Sequence, residues 1–216
     1  MQFRNGLQLK PSKSIDAGWP QFFEAAIADV YGIRSASPDL VIDVGANIGA
    51  FTCLAAHTHH TAQIYAFEPQ ANIIRVLNDN IALNGLTNVQ VEQAPVTKDA
   101  RIVQFSTQST DGGSGIYLLE QGTISSIQSV TLDNIPFQSF SSVFFKLDCE
   151  GAEGELIEWI VEHRTILPRQ VQVACEYHPW CPLPVGKAME LLQGLGFVAE
   201  QSCEYGEVYL FATTSA

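Results

Sequence analysis

Six carboxylate or imidazole side chains stand in or just after apolar runs of this chain, and that placement gives them chemical meaning. Asp43 lies within Leu40-Val41-Ile42-Asp43-Val44, which passes directly into Gly45-Ala46-Asn47-Ile48-Gly49. Glu68 closes Ile64-Tyr65-Ala66-Phe67, with Pro69 behind it. Asp148 and Glu150 follow Val143-Phe144-Phe145-Lys146-Leu147, and Glu176 and His178 follow Val171-Gln172-Val173-Ala174-Cys175. A carboxylate at a strand end can accept hydrogen bonds from hydroxyls, take up a proton or ligate a hard cation.

The first two acids point to a bound ligand. A short β-branched strand turning on glycines into a helical pattern (Ala50, Phe51, Cys53, Leu54, Ala55) is the nucleotide-binding corner of open α/β folds. No Gly-Lys-Ser/Thr follows the turn, which excludes a phosphate-gripping loop. The glycines stand as Gly45-x-x-x-Gly49 and match a dinucleotide fingerprint only loosely. Asp43, just before the turn, is a poor neighbour for a pyrophosphate. It suits a positive group, such as the amino group of S-adenosylmethionine. Glu68 lies nineteen residues beyond Gly49, where a ribose-binding acid belongs in this architecture. Its two oxygens match the two hydroxyls of an unphosphorylated ribose. Two strand-end acids without a ligand are the plain alternative, weaker for the pair at this spacing than for either alone.

Asp148, Glu150, Glu176 and His178 leave three readings open. They provide a base, with His178 the natural candidate at neutral pH, or orient a substrate. Alternatively, Asp148, Glu150 and Glu176 bind a hard divalent metal such as magnesium. In the third reading they are structural, with Glu150 capping a helix start. Base or orienting residue ranks first and metal second, so the sequence assigns no metal ligand.

These residues need strands and helices to position them. Helical spacing is present over residues 14–31 (Phe22, Phe23, Ala26, Ile27, Val30, Tyr31), from Ala50 to about His57, over 70–83, after Glu153, and over 185–195. Strands are expected at 40–45, 64–68, around Val89 and Val91, at 101–106 and 126–132, at 143–148 and at 171–176. Phe197–Gln201 and Val208–Ala212 read as a terminal antiparallel hairpin. Between Ser106 and Ser126 a Ser/Gly-rich stretch forms either a cover over the site or a long connection. Alternating strands and helices predict an α/β domain over 38–216, preceded by an N-terminal helical extension over 1–37.

Composition narrows the partners. With 46% apolar and 16% charged residues, the 216-residue chain is globular and long enough for a full core. Eleven Lys plus Arg against 23 Asp plus Glu give a net charge of −12, which speaks against tracking a nucleic-acid backbone or an anionic membrane. A cationic sulfonium cofactor is compatible with it. No apolar run reaches the roughly 18 residues of a membrane span, and Met1 to Lys13 lack a signal-peptide core. Five cysteines without a C-x-x-C are read as thiols in a reducing cytoplasm. His57, His59 and His60 sit in a polar run without carboxylate or cysteine, a solvated connection rather than a metal site.

Four stretches taken together resemble the FkbM-type methyltransferases: Val41 to Gly49, Tyr65-Ala66-Phe67-Glu68-Pro69, Thr131-Leu132-Asp133, and Phe145-Lys146-Leu147-Asp148-Cys149-Glu150-Gly151-Ala152-Glu153. The resemblance covers residues 38 to 212, and the last stretch is its most specific part. It implies a Rossmann-like class I methyltransferase fold: a seven-stranded, mostly parallel sheet with helices on both faces and a C-terminal antiparallel hairpin. It also implies methyl transfer from S-adenosylmethionine, with Asp43, Gly45, Asn47, Gly49, Glu68 and Asp148 around the cofactor. The acceptor implied is a hydroxyl on a sugar or other small natural product; the metal reading of the carboxylates makes a metal-dependent O-methyltransferase of the same fold the alternative, not the favoured one. Ala94-Pro95-Val96 departs from the family's usual pattern near the adenine. Two competing readings are a cofactor-binding protein without catalysis and an NAD-dependent oxidoreductase. The latter lacks both the third fingerprint glycine and a Tyr-x-x-x-Lys.

Overall fold

The apolar runs become strands of one sheet in the computed structural model, which describes residues 3, 6–10, 27–107, 114–117, 122–204 and 207–214. Its strands are β1 (Leu40–Val44), β2 (Gln63–Phe67), β3 (Val89–Glu92), β6 (Ser142–Leu147), β7 (Gln170–Glu176), β8 (Phe197–Glu204) and β9 (Glu207–Thr214), in the order β3-β2-β1-β6-β7-β9-β8. Pairing is parallel from β3 through β7 and antiparallel for β7–β9 and β9–β8. Central β1 and β6 are buried along their whole length, which is why Asp43 and Lys146 are the only charges they carry. The seven-stranded sheet with its antiparallel terminal hairpin matches the fold class implied by the sequence.

Helices α1 (Ala50–Thr58), α2 (Ala71–Leu83), α3 (Glu153–Glu162) and α4 (Val185–Gly194) cover both faces. Alternate strand residues separate the two sides. Ile42 and Phe145 join Leu156, Trp159, Ala188 and Leu192 of α3 and α4 in one cluster. Val41 and Phe144 join Phe51, Cys53, Leu54 and Ile73 of α1 and α2 in the other. Fully burying side chains of this size stabilises the fold by about 1.5–3 kcal/mol each.

The second cluster includes Leu7, Leu9 and Tyr31, all buried. The amide N–H groups of Gln8 and Lys10 donate to Asn84 Oδ1, just past the end of α2, and to Asn80 Oδ1 within it, both at 2.7 Å. Most of the helix expected over 14–31, including Phe22, Phe23 and Ala26, lies outside the described residues.

One strand falls elsewhere than expected. β4 (Ile102–Thr107) pairs with β5 (Thr123–Gln128) in a separate antiparallel ribbon, three residues ahead of the predicted 126–132. The apolar residues that drew the prediction do other work. Val130 bridges to Val96, and Leu132 is buried in the first cluster, whereas β5 is mostly exposed and has no apolar alternation to betray it. All five cysteines are free, and among the described residues no helix is long and apolar enough to cross a membrane.

Candidate active site

Strand register brings the distant acids together. Leu147 pairs with Cys175, so Asp148 and Glu176 occupy the next positions of β6 and β7 side by side. Val44 pairs with both Phe67 and Leu147, so Gly45, Glu68 and Asp148 leave the sheet at the same edge. Asp43, Lys146 and Ala174 are mutually in register. Period-two alternation therefore turns Asp43, Lys146, Asp148 and Glu176 toward one face, and His178 follows just past the end of β7. A single cavity runs along the edge, lined by Gly45, Asn47, Glu68, Asp148, Glu150 and Glu176 among others, with about 860 Å³ between its walls and open mouth. Phe67, Ala94, Pro95, Val96 and Ile116 supply its apolar wall, so the departing Ala-Pro-Val stretch and part of the Ser/Gly-rich segment both face the cavity.

At the β1–β2 end, backbone geometry sets the shape. Gly45 has φ +78°, and a Cβ there would stand 1.7 Å from the carbonyl oxygen of Asp148. Glycine is thus required by the crossing of two chain segments, whatever the cavity holds. Asn47 also adopts a left-handed backbone, φ 49°, which Asn tolerates better than most residues. Its N–H donates to Glu68 Oε2 at 3.1 Å, and Gln70 N–H donates to Glu68 Oε1 at 2.9 Å. Burial pushes the Glu68 carboxyl up to about 7, with the two N–H bonds working in the opposite direction. Each oxygen keeps a lone pair for a further donor.

Two residues expected at the cofactor, Asp43 and Gly49, do not line the cavity. Asp43 is fully buried behind the cavity, accepting from Thr52 Oγ1 and standing 3.3 Å from Lys146 Nζ. The positive group it suits is therefore the protein's own lysine. Gly49, at φ +87°, starts α1, and a Cβ there would stand 2.4 Å from Leu77 Cδ1 of α2. It permits helix packing and does not line the cavity.

At the β6–β7 end, side chains hold one another. Burial pulls the Lys146 ammonium down, but Asp148 and Asp43 outweigh that and keep it charged. Lys146 Nζ donates to Gly45 O at 2.6 Å and lies 3.3 Å from Asp148 Oδ2, tying the two ends of the cavity together. Tyr31 Oη lies 3.2 Å from Asp148 Oδ2 and 3.1 Å from Glu176 Oε2. Burial and these two carboxylates raise the phenol, so it remains a donor.

Glu153, fully buried at the start of α3, accepts from Cys149 N–H and Gly151 N–H and from His178 Nδ1 at 2.8 Å. Glu153, not Glu150, thus lies in the first turn of α3, and it braces the turn that precedes the helix. Glu150 has a left-handed φ of 57° and lines the cavity, and burial pushes its carboxyl up to about 7. Burial opposes charge on His178, yet Glu153, Asp148 and Glu150 outweigh it and push the imidazole up to about 10. The three carboxylates thus favour the protonated ring, which works against the neutral base expected of His178.

All four expected catalytic residues converge, but sequence reading missed three that hold them. Lys146 had a visible signal, because a lone charge inside Val-Phe-Phe-Lys-Leu needs a buried partner. Glu153 lay within the most specific stretch without a role of its own. Tyr31 gave no signal, since only tertiary packing places it over the carboxylates.

The sheet order, the glycine turn and the carboxylate ending β2 define a class I S-adenosylmethionine-dependent methyltransferase. The model of the methyltransferase FkbM domain matches residues 43–198, and the chain belongs to that family. A methyltransferase from Aquifex aeolicus described as S-adenosylmethionine-dependent has a similar structure at 13% identity, with TM-score 0.54 and coverage of 91% of this chain and 94% of that one. The precorrin-6y C5,15-methyltransferase of Geobacter metallireducens GS-15 is similar at 17% identity, TM-score 0.52 and 87% coverage of both chains. An rRNA methylase of Streptococcus thermophilus is similar at 14% identity and TM-score 0.53, covering 89% of this chain and 97% of that one. At these identities the likeness concerns the fold. No curated protein matches the sequence.

The residues present fit the family's cofactor, S-adenosylmethionine. A buried carboxylate with lone pairs to spare stands in the cavity wall, beside an apolar surface wide enough for a base.

Proposed function

We propose that the protein methylates a hydroxyl of a small molecule, a sugar or other natural product, at the β6–β7 end of the cavity. The observation that carries this reading is the continuity of the cavity. Glu68 and the carboxylates Asp148, Glu150 and Glu176 line one space, so a cofactor on the first and an acceptor on the others would meet. Bound there, S-adenosylmethionine supplies an activated methyl group for in-line displacement.

In this reading Glu68 accepts from both ribose hydroxyls, Gly45 and Asn47 border the amino-acid part, and Phe67, Ala94, Pro95 and Val96 flank the adenine. Asp148 lies between the two ends and serves both. The acceptor hydroxyl donates to a carboxylate at the mouth, which orients its oxygen and takes its proton as the bond to methyl forms. A mouth with this many carboxylates repels phosphates, as does the net charge of −12. A small neutral polyol therefore fits better than the RNA named for some proteins of the same fold.

Release of S-adenosylhomocysteine, followed against a panel of hydroxylated metabolites and against RNA, tests the proposal. Turnover with a hydroxylated small molecule supports it. Turnover with RNA alone, or with amines alone, overturns it.

A further inference from the structure

We propose that Asp148, Glu176 and His178 hold a divalent metal ion at the acceptor end of the cavity. One ligand atom from each lies within 4.8 Å of the others. This set differs from the three carboxylates that the sequence offered, because His178 replaces Glu150. The three come from the ends of β6 and β7, whose register is fixed by the sheet.

What separates this cluster from an ordinary acidic patch is how each side chain is held from behind. His178 is 5% exposed, and its Nδ1 is bonded to the buried carboxylate of Glu153. That bond fixes the ring and leaves Nε2 as the atom aimed at the cluster. Nε2 stands 4.0 Å from Asp148 Oδ1, 3.6 Å from Glu150 Oε2 and 3.9 Å from Glu176 Oε1, beyond hydrogen-bond range of all three. Among the described residues it has no hydrogen-bond partner. The second oxygens, Asp148 Oδ2 and Glu176 Oε2, both lie against Tyr31 Oη, and Asp148 Oδ2 also lies near Lys146 Nζ. So Oδ1 and Oε1 are the oxygens turned toward Nε2. Outer partners on every ligand are the usual companions of a metal site.

Ligand atoms around an octahedral ion at about 2.1 Å stand roughly 3 Å apart when adjacent. The ligand atoms need to close in by about 1–2 Å to reach that spacing, within the range of side-chain rotation. Two carboxylates and one imidazole, with no thiolate among them, favour manganese or magnesium over softer metals. An entering ion would displace the Nε2 proton to solvent, as metal binding to histidine requires. Asp148 and Glu176 line the cavity, so the ion's remaining positions face the space where the acceptor oxygen is proposed to sit. There it would bind that oxygen and make the hydroxyl easier to deprotonate. This last step builds on the proposed hydroxyl methylation, whereas the metal site is measurable without it.

The experiment titrates Mn²⁺ into the chelator-treated full chain, without acceptor, and follows free Mn²⁺ by electron paramagnetic resonance. One saturable site per chain is expected, with electron spin-echo modulation from a histidine nitrogen on the bound ion. His178→Ala should remove that modulation and weaken binding by at least ~10-fold, and Glu153→Gln should weaken it by ~10–100-fold. Glu150→Gln should cost less than either. Calorimetry with S-adenosylmethionine on the same samples reports folding and cofactor binding separately. Saturable Mn²⁺ binding without nitrogen modulation, or no saturable binding, overturns the metal site and leaves the methyltransferase reading standing. Metal bound as expected with no turnover of any hydroxylated acceptor would instead overturn the acceptor proposal.

Discussion

The two ends of the cavity are built by different means. At the β1–β2 end the backbone does the positioning. Gly45 and Asn47 take left-handed conformations, and the Glu68 carboxylate is gripped by two main-chain N–H groups. At the β6–β7 end Asp148, Glu176 and His178 are held by other side chains, Tyr31, Lys146 and Glu153. A site made from backbone has one shape and suits a ligand that never changes. A site made from mutually braced side chains can be re-cut by substitution without moving the chain, which suits the end proposed for the acceptor. Lys146 is the link, since its ammonium touches Gly45 O on one side and Asp148 on the other.

Breaking the backbone where the two ends meet should have the largest effect. In Gly45→Val the new Cβ would overlap the Asp148 carbonyl, and φ +78° is strained for any side chain. The expected loss is about 5 kcal/mol of stability, at the upper end for single substitutions. Little folded protein should remain, and none that binds S-adenosylmethionine. A well-folded variant that only loses binding would mean that Asp148 can retreat, and that the two ends are less tightly joined than described. Chemical denaturation decides between these outcomes.

Removing the link should come next. Lys146→Met leaves Asp43 buried without its charge partner, at an expected cost of about 3–5 kcal/mol. Adding Asp43→Asn should restore part of that loss, because the uncompensated charge goes with it. Absence of recovery in the double variant would show that packing around the lysine stem, not the ion pair, holds the two strands in place.

How much of this was legible in the sequence follows the same division. The β1–β2 end is local: its strand, glycines and carboxylate lie within 29 residues, from Leu40 to Glu68, so spacing alone pointed to them. Even so, nothing in the spacing shows that Asp43 and Gly49 stand off the cavity lining, because burial behind a cavity and burial at it look alike in a linear pattern. At the other end the four catalytic candidates were visible as strand-end residues. Their supports were not, since Tyr31 comes from 117 residues before Asp148 and reaches it only through tertiary packing. The distinction between Glu150 and Glu153 depends on backbone conformation, which puts the first in the left-handed region and folds the second back over its own helix start. β5 was shifted for a similar reason: Val130 and Leu132 are apolar because they return to the core, not because they alternate in a ribbon.

Glu68 allows a gentler test of the backbone-built end. Glu68→Ala would strip Asn47 and Gln70 of their acceptor, confusing cofactor loss with local damage. Glu68→Gln keeps one carbonyl oxygen in place. It should weaken S-adenosylmethionine by about 1–3 kcal/mol, the range for losing charge-assisted bonds. Mn²⁺ binding at the other end should stay as it is. Equal losses in both titrations would mean that the two ends are one cooperative unit.

The smallest effect concerns pH, and its sign is fixed by the burial of Glu68. With a folded-state value of about 7 against an ordinary 4.5, the folded chain binds more protons than the unfolded chain between those two values. The contribution of Glu68 to stability therefore declines as pH rises through that window, and it is fully present only in acid. Cofactor binding should run the other way. Ribose hydroxyls donate to the ionised carboxylate, so at pH 6 binding must first remove a proton, while at pH 8 it need not. S-adenosylmethionine affinity should rise by ~10-fold between those two pH values, one decade per pH unit below the titration point. The groups that bear on Glu68 are the N–H donors of Gln70 and Asn47, the charge of Lys146 and that of Asp43. None of these is removed in Glu68→Gln, so that variant should show a flat profile over the same range. A slope that persists in Glu68→Gln would assign the titration to another group. A flat profile in the wild-type protein would mean that the ribose does not meet an ionisable carboxyl here, leaving the backbone alone to hold the cofactor.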